Sequence, residues 1–364
     1  MTGLAIILVG LGARSRTWRR VLSENSRCRI VGLVDTNRAA LDAALAETPG
    51  AKGAATLAEM TGMVAADAVI LATPPGHREA QIAAACAARL PILAEKPLAD
   101  SVAAAAAHVA AAERAGVSLM VGLNFRYLAV TQAMKALFVA DKLGAPAFGR
   151  FTYERWRDGA QPNMNKYPLA MAQPMLWEQS IHHFDLMRHV YGAEPVGIAA
   201  RTFNPPWSMY ADDANVSALI SFDNGMEVTY QGTWAGNWDH LGFNWRTDCA
   251  RGIAVQAEMF GALSYALRHD RQMTDVALPP HEIWIDDAAA LLADFVAHVL
   301  DRAPLHCSGA DHLKSLRMVE ACIRASATGC TINPSDLTSL AEPGGGKMSA
   351  LPTYPTVQTE KRKH

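Results

Sequence analysis

A lysine between an acid and a proline is a candidate for a role in catalysis. Glu95-Lys96-Pro97 follows a short apolar run that is typical of a buried strand. The proline biases Lys96 towards an extended conformation and limits its freedom. A cation fixed in this way orients a substrate hydroxyl and lowers the pKa of that hydroxyl. Taken alone, the segment is more typical of a surface salt bridge in a loop.

A second cluster of polar residues lies at Glu178, His182 and Asp185. In a helix these positions share one face, because residues three and four apart are neighbours. A histidine there is suited to take a proton from an alcohol, with the Glu178 carboxylate fixing its tautomer. The alternatives are a solvated helix face or a core histidine bonded to backbone. A metal site with His183 and His189 is disfavoured, because adjacent histidines point to different helix faces.

A glycine turn near the start of the chain indicates a dinucleotide site. Gly10-Leu11-Gly12 joins an apolar run to a helix, where two glycines permit a tight turn and close approach of a pyrophosphate. Ser15 stands where the full G-x-G-x-x-G pattern has its third glycine. Asp35 is spaced to accept ribose hydroxyls and would repel a 2′-phosphate, which favours NAD, although the nearby Arg38 suits NADP. The alternative is an ordinary turn with Asp35 capping the next helix.

The rest of the cofactor is expected at the same edge of the sheet, since ligands of doubly wound sheets bind beyond the strands' carboxyl ends. Thr73-Pro74-Pro75-Gly76-His77 ends another strand, and the nicotinamide half would rest there. Alternatively, Thr73 or His77 caps the helix that begins near Arg78. The predicted cofactor contacts are Gly10, Gly12, Ala13, Arg14, Asp35, Thr73, Pro74, His77, Glu95, Lys96 and Asn124.

The elements that must position these groups fall into two domains. Over 1–123, apolar runs alternate with alanine-rich helices, which predicts an α/β domain with a doubly wound parallel sheet of the Rossmann type. Its strands are predicted at 4–9, 29–35, 68–72, 91–94 and 118–122, and its helices at 17–24, 38–46, 78–88 and 102–115.

Over 124–334 the pattern changes to aromatic and β-branched runs, with a hairpin signal at Asp223-Asn224-Gly225. This predicts an α+β domain with a large, mostly antiparallel open sheet. Residues 335–364 are rich in glycine and proline and predict a flexible tail or arm. The predicted helices are 129–141, 287–301 and 311–328, and the predicted strands are 148–155, 196–203, 214–222, 226–234, 244–249, 253–259 and 263–268.

Composition excludes several classes of protein. The 364 residues are 50% hydrophobic with a net charge of −2, and the one basic run is Lys361-Arg362-Lys363, so neither nucleic acid nor membrane is an expected partner. Leu4–Val9 is too short to span a membrane and lacks the features of a secretory signal. Six scattered cysteines without a C-x-x-C pair predict reduced thiols and a cytoplasmic location.

Taken together, these motifs resemble the Gfo/Idh/MocA family, named for glucose–fructose oxidoreductase, inositol dehydrogenase and rhizopine catabolism. The resemblance spans about 4–334 and includes Glu95-Lys96-Pro97, the acid-x-x-x-His-x-x-Asp pattern, Asn124-Phe125-Arg126-Tyr127 and the run 304–326. It implies an NAD(P)-dependent enzyme that moves a hydride between nicotinamide and a secondary alcohol or ketone carbon of a sugar, inositol or related polyol. The alternatives are a dihydrodiol or keto-sugar reductase, or a non-catalytic nucleotide or sugar sensor.

The resemblance also implies roles for individual residues. Lys96, Glu178 and His182 would be catalytic, with His182 as the acid/base, and Asp185 would bind substrate hydroxyls or order the histidine. The family usually has aspartate at the position of Glu178 and glycine at that of Ser180. The longer side chain would direct Glu178 towards substrate. The predicted substrate contacts are Lys96, Arg126, Tyr127, Trp156, Arg157, Glu178, His182 and Asp185, with Asp158 and Trp177 as further walls.

The resemblance finally implies a homo-oligomer, a dimer or tetramer formed through the open face of the second sheet, which would otherwise leave a large exposed patch. Trp234, Trp238 and Trp245 are assigned to this subunit interface.

Overall fold

The computed structural model describes residues 3–157 and 166–337. The predicted pocket wall Asp158 and the predicted tail from residue 338 onwards lie outside these ranges, as does the side chain of His77.

The first sheet has six parallel strands in the order β3-β2-β1-β4-β5-β6. All six residues of its central strand are buried, because helices cover both faces, and this explains their unbroken apolar run. The strands are β1 (Leu4–Val9), β2 (Cys28–Val34), β3 (Lys52–Ala54), β4 (Ala68–Leu71), β5 (Ile92–Ala94) and β6 (Leu119–Val121). The helices are α1 (Ala13–Glu24), α2 (Arg38–Ala46), α3 (Leu57–Met63), α4 (Glu79–Ala87) and α5 (Val102–Ala115).

The predicted Rossmann-type sheet is confirmed, with two additions. The strand β3 and the helix α3 are absent from the predictions. β3 has three residues and no apolar run, so its pattern gave no signal. The start of α3 did carry one, because Thr56 and Glu59 form a capping box in which each side chain bonds the other residue's backbone N–H.

The second sheet has eight strands in the order β14-β13-β12-β11-β7-β10-β9-β8, and β7 and β10 are its one parallel pair. A mostly antiparallel sheet is therefore confirmed. Gly225, at φ +81°, makes the tight turn of the predicted hairpin between β9 and β10. The strands are β7 (Pro146–Glu154), β8 (Pro195–Phe203), β9 (Asn215–Phe222), β10 (Glu227–Thr233), β11 (Gly242–Cys249), β12 (Gly252–Glu258), β13 (Gly261–Leu267) and β14 (Thr274–Asp275).

In the described part of the second domain, four α-helices accompany this sheet: α6 (Ala129–Val139), α7 (Ile181–Tyr191), α8 (Asp286–Asp301) and α9 (Gly309–Thr328). One sheet face packs against helices and the other is open. Along β7, Phe151 and Tyr153 are buried whereas Phe148 and Arg150 are exposed, as a period of two requires.

The two domains are joined by the start of α9. Met120 of β6 forms an isolated bridge with Ser308, and the Val121 N–H donates to the Cys307 carbonyl. A side chain at Gly309 would lie 2.9 Å from Val109 Cγ2, so only glycine permits this close approach. Helix α9 thus extends from the edge of the first sheet into the core of the second domain.

The interface assignment of two tryptophans is wrong. Trp234 and Trp245 are buried inside the chain, and the Trp245 indole N–H donates to the Tyr191 hydroxyl at 2.6 Å. Trp238 is 75% exposed and keeps the predicted assignment. None of the described helices combines the length and the apolar character that crossing a membrane requires. All six cysteines are free thiols.

Candidate active site

The loop that follows β5 carries Lys96 and is held by a buried arginine. Arg78, 1% exposed, donates to the carbonyls of Thr73 and Glu95, and also to those of Pro97 at 2.6 Å and Leu98 at 3.3 Å. One guanidinium therefore fixes the ends of β4 and β5 together. Arg78 was not among the predicted site residues, because its acceptors are backbone carbonyls far along the chain.

The alternative in which Thr73 caps α4 is not formed, and that for His77 falls outside the described side chains. The N-cap residue of α4 is Arg78, whose side chain makes no cap hydrogen bond. The Thr73 hydroxyl donates instead to Gln81 Oε1 at 2.7 Å.

Glu95 faces the glycine turn. One of its carboxylate oxygens accepts from Arg14 Nε at 2.5 Å and from the Trp18 indole N–H at 2.9 Å. Burial opposes ionisation of Glu95, but the Arg14 guanidinium and these hydrogen bonds hold its pKa below the ordinary value. Arg14 and Glu95, both predicted to contact the cofactor, thus form one ion pair at the sheet edge.

Lys96 reaches across to the second domain. Its ammonium donates to the Glu178 carbonyl at 2.9 Å and to the Glu178 carboxylate at 3.3 Å. Glu178 lies in a π-helical turn, Leu176–Ser180, which leads directly into α7. Such turns alter the phase of a helix and occur often at functional sites. This turn brings Glu178 to Lys96.

His182 lies one turn further along α7 and is almost fully buried. Its ring stacks on Phe125, with centroids 4.0 Å apart. Burial and then the charge of Lys96 hold the pKa of His182 well below 6.5, so the imidazole is neutral at physiological pH. Within the described ranges its Nδ1 has no hydrogen-bond partner, and Glu178 bonds Lys96 instead. Phe125 was part of a quoted motif but not a predicted site residue.

Asp185 is the centre of a buried ionic network. It accepts two parallel hydrogen bonds from Arg126, at 2.7 and 2.6 Å, and a third from the Ser315 hydroxyl at 3.0 Å. Burial would raise the pKa of Asp185, but Arg126 and Arg188 bring it below its ordinary value. Arg126 also donates to Asp311 at 2.6 Å. The network ties α7 to α9.

Two further predicted residues are also bonded to protein groups. The Tyr127 hydroxyl donates to Asp294 Oδ2 at 2.6 Å, and the Asn124 side-chain amide donates to the buried Asp287 carboxylate. Both acceptors belong to α8, so this segment fastens α8 to the end of β6.

Three predicted pocket residues remain, two just after β7 and one in the π-helical turn. Trp156 pairs with Ala235 in an isolated bridge. The Arg157 guanidinium lies 4.0 Å from the centre of the Trp234 ring. Trp177 is buried within the π-helical turn.

The glycine turn has the geometry of an anion site. Gly10 adopts φ +87°, and a side chain there would lie 2.7 Å from Thr73 Cγ2. Above Gly12 no atom lies within 4 Å of the position that a side chain would take. Gly12 is the N-cap residue of α1, no side chain in the described part of the chain caps that helix, and Ala13 is exposed. Ser15 is buried at the position of the third glycine. Its hydroxyl donates to the Gly12 carbonyl at 2.7 Å, so this polar group has a partner inside the protein.

The acid at the end of β2 supports the same turn. Asp35 accepts from the Leu11 N–H at 2.6 Å and from the Asn37 N–H at 2.7 Å. The cap of α2 is Asn37 rather than Asp35. Arg38 is exposed and bonds Asp42 at 2.9 Å. Open space, N–H groups at the start of α1 and a carboxylate at the end of β2 fit a dinucleotide.

Comparison with known families decides what this arrangement is. Residues 4–123 match the family described as "Oxidoreductase family, NAD-binding Rossmann fold", and residues 131–255 match the "GFO/IDH/MocA C-terminal domain". The chain belongs to the Gfo/Idh/MocA family. It is an oxidoreductase, and its first domain binds NAD. Family membership favours the enzyme over the non-catalytic sensor.

Individual relatives have low sequence identity to this chain, over alignments that differ in length. A D-apiose dehydrogenase from Rhizobium rhizogenes is 27% identical over 73% of this chain and 79% of its own length. An inositol 2-dehydrogenase from Streptomyces avermitilis is 31% identical over 48% of this chain and 49% of its own. An oxidoreductase from Agrobacterium radiobacter, solved with NAD+, L-tartaric acid and magnesium, has a TM-score of 0.83 at 22% identity. That alignment covers 92% of this chain and all of that one, which shows a shared fold.

Gly10→Ala and Gly12→Ala form a matched pair of variants. An alanine at Gly12 meets no atom within 4 Å but fills the space above the helix N-terminus. We expect it to fold normally and to bind NAD about tenfold more weakly. An alanine at Gly10 must adopt φ +87° against Thr73, which should cost about 1–3 kcal/mol of stability. Calorimetric titration with NAD and thermal unfolding separate the two effects. Wild-type NAD affinity in Gly12→Ala would refute the assignment of this turn.

Proposed function

We propose that the protein transfers a hydride between NAD and a secondary alcohol or ketone carbon of a sugar, inositol or related polyol. The observation that supports this most is the contact between Lys96 and Glu178, which brings an ammonium group of one domain beside His182 of the other. The relatives named D-apiose dehydrogenase and inositol 2-dehydrogenase support the substrate class.

Lys96 is assigned to the substrate hydroxyl. An ammonium group has three N–H donors. Among the residues that the structure describes, Glu178 is the one polar partner of Lys96, which takes two of these donors. The third donor is then available to orient the reacting oxygen and to stabilise negative charge on it. Glu178 holds the lysine in place and contacts substrate at the same point.

His182 is assigned as the acid/base. Its Nδ1 is buried, so we assign Nε2 to the reacting hydroxyl. Because burial keeps the imidazole neutral, the ring is in the form that accepts a proton. The stack on Phe125 fixes the plane of the ring. When bound, NAD accepts or supplies the hydride, and the chain supplies position and the proton acceptor.

The cofactor is assigned to the carboxyl edge of the first sheet. Gly10, Gly12, Ala13 and Arg14 would surround the pyrophosphate, and Asp35 would hold the adenosine ribose. NAD is favoured over NADP because Arg38, the cation nearest in sequence to Asp35, is bonded to Asp42. Thr73, Pro74, His77, Glu95 and Lys96 remain the residues assigned to the nicotinamide half. Asn124, predicted with them, already donates to the buried Asp287 carboxylate, so we assign it to holding α8.

The substrate contacts divide into two groups. Lys96, Glu178, His182, Trp156 and Arg157 remain assigned to the pocket. Arg126, Tyr127 and Asp185 already have charged or polar protein partners, so reaching substrate would leave those partners unpaired. We therefore assign these three residues to holding α7 and α8 in place. The cytoplasmic location remains part of the proposal, which the scattered free thiols support.

We also propose that the protein forms a homo-oligomer, a dimer or tetramer, through the open face of the second sheet. Phe148 and Leu219 lie exposed on this face, on β7 and β9. Leu219→Arg should lower the molar mass measured by sedimentation, because it places a charge within the buried interface. Val139→Arg is the control, since Val139 is exposed on α6. Equal masses for wild type and Leu219→Arg would exclude this face.

The catalytic assignment is tested by Lys96→Met and His182→Asn. We expect kcat to fall about 10²- to 10⁴-fold in each, because each removes a group that acts on the reacting hydroxyl. The substrate is identified first, by following the absorbance of the reduced cofactor across a library of sugars, polyols, ketoses and dihydrodiols. The NAD affinity of each variant is measured separately. Turnover near that of wild type in both variants would end the assignment.

A pH profile gives the same assignment a second readout. Burial and the charge of Lys96 hold the pKa of His182 well below 6.5, so kcat/KM should stay flat as the pH falls through 6.5. It should decline only at lower pH, where the imidazole binds a proton from solvent. A decline centred on 6.5 would show that an unperturbed histidine is the base.

A further inference from the structure

The backbone of the Lys96 loop has a buried donor that the rest of the loop does not satisfy. Leu98, two residues after Lys96, is fully buried, so its N–H needs an acceptor inside the protein. That acceptor is Nε2 of His312, at 3.3 Å. The two residues are 214 positions apart, and His312 lies in the first turn of α9, in the other domain.

His312 is equipped to be an acceptor. It is fully buried, and burial lowers its pKa to about 3, so the imidazole is neutral. Since Nε2 accepts, the ring proton must be on Nδ1. Nδ1 is buried and has no partner among the residues described. The ring nitrogen that is paired is therefore the one that satisfies the backbone beside Lys96.

Helix α9 also holds the helix that carries His182. Asp311 accepts from Arg126 at 2.6 Å, and Ser315 donates to Asp185 of α7 at 3.0 Å. These residues flank His312 on α9. One helix therefore bonds the loop of Lys96 on one side and the helix of His182 on the other.

We propose that His312 is a positioning residue that fixes the Lys96 loop relative to His182 through the Leu98 backbone. The proposal rests on the proposed function, in which both groups act on one hydroxyl. His312 does not touch the reacting atoms. It sets where the ammonium group lies, and misplacement of a catalytic group by about 1 Å is enough to slow an enzyme severely.

The test compares His312→Gln with His312→Met in the full chain. The two side chains have similar length and volume, but glutamine offers a strong oxygen acceptor to the Leu98 N–H, whereas the methionine sulfur is a weak one. We expect His312→Met to lower kcat about tenfold or more while NAD affinity stays unchanged. His312→Gln should recover most of that loss. Hydrogen exchange of the peptide that contains Leu98, measured without cofactor, should be faster in His312→Met than in wild type and restored in His312→Gln.

The outcomes distinguish this proposal from the proposed function. Equal kcat and equal exchange in the methionine and glutamine variants, whether both are impaired or both normal, would overturn it, because packing alone would then explain the residue. Should wild type turn over no compound in the library, the proposed function fails. The exchange comparison would still decide whether His312 holds the loop.

Discussion

The structure depends on keeping one short backbone segment, Glu95 to Leu98, rigid at the edge of a buried sheet. A buried guanidinium is expensive unless its donors are paired. The terminal nitrogens of Arg78 bond the carbonyls on both sides of Lys96, whereas its Nε has no partner among the described residues. The same hydrogen bonds give these buried backbone carbonyls a donor. The buried N–H donor of Leu98 is taken by His312. Lys96 therefore projects from a backbone whose neighbouring polar groups are nearly all committed.

That rigidity matters because the two domains contribute different groups. Lys96 comes from the first domain and His182 from the second, and the π-helical turn ending at Ser180 brings Glu178 to Lys96. The ion pair between Asp185 and Arg126 then holds α7 in place. Breaking one member of such a buried network leaves its partner charged and unpaired, which costs far more than an exposed pair would.

The sequence predicted the parts of this arrangement that depend on local pattern. The bounds of α2 and α5 matched, because alanine-rich periodic runs and a serine cap are local signals. The strand β3 gave no such signal. Ser15 departs from the glycine pattern, yet it is fully buried and its hydroxyl bonds the Gly12 carbonyl.

What the sequence did not reveal is contact across the chain. Arg78 bonds carbonyls about twenty positions away, and His312 bonds a backbone N–H in the other domain. Neither leaves a mark on the local pattern. Of the two interpretations of Glu178, as the partner of His182 or as a substrate contact, the sequence favours the first only for a regular helix, whereas the π-helical turn directs Glu178 to Lys96. Trp245 is assigned to the subunit interface on the family resemblance alone, but tertiary packing buries it inside the chain.

The meeting of the two domains at Lys96 and Glu178 is tested most directly by a double-mutant cycle on kcat/KM. The cycle uses Lys96→Met, Glu178→Gln and the double variant, with the best substrate from the library. If the ammonium and the carboxylate act as one unit, the double variant will be little worse than the more damaged single variant. The coupling energy should then be about 1 kcal/mol or more. Effects that add to within about 0.5 kcal/mol would show that the two residues act independently, and would contradict the account.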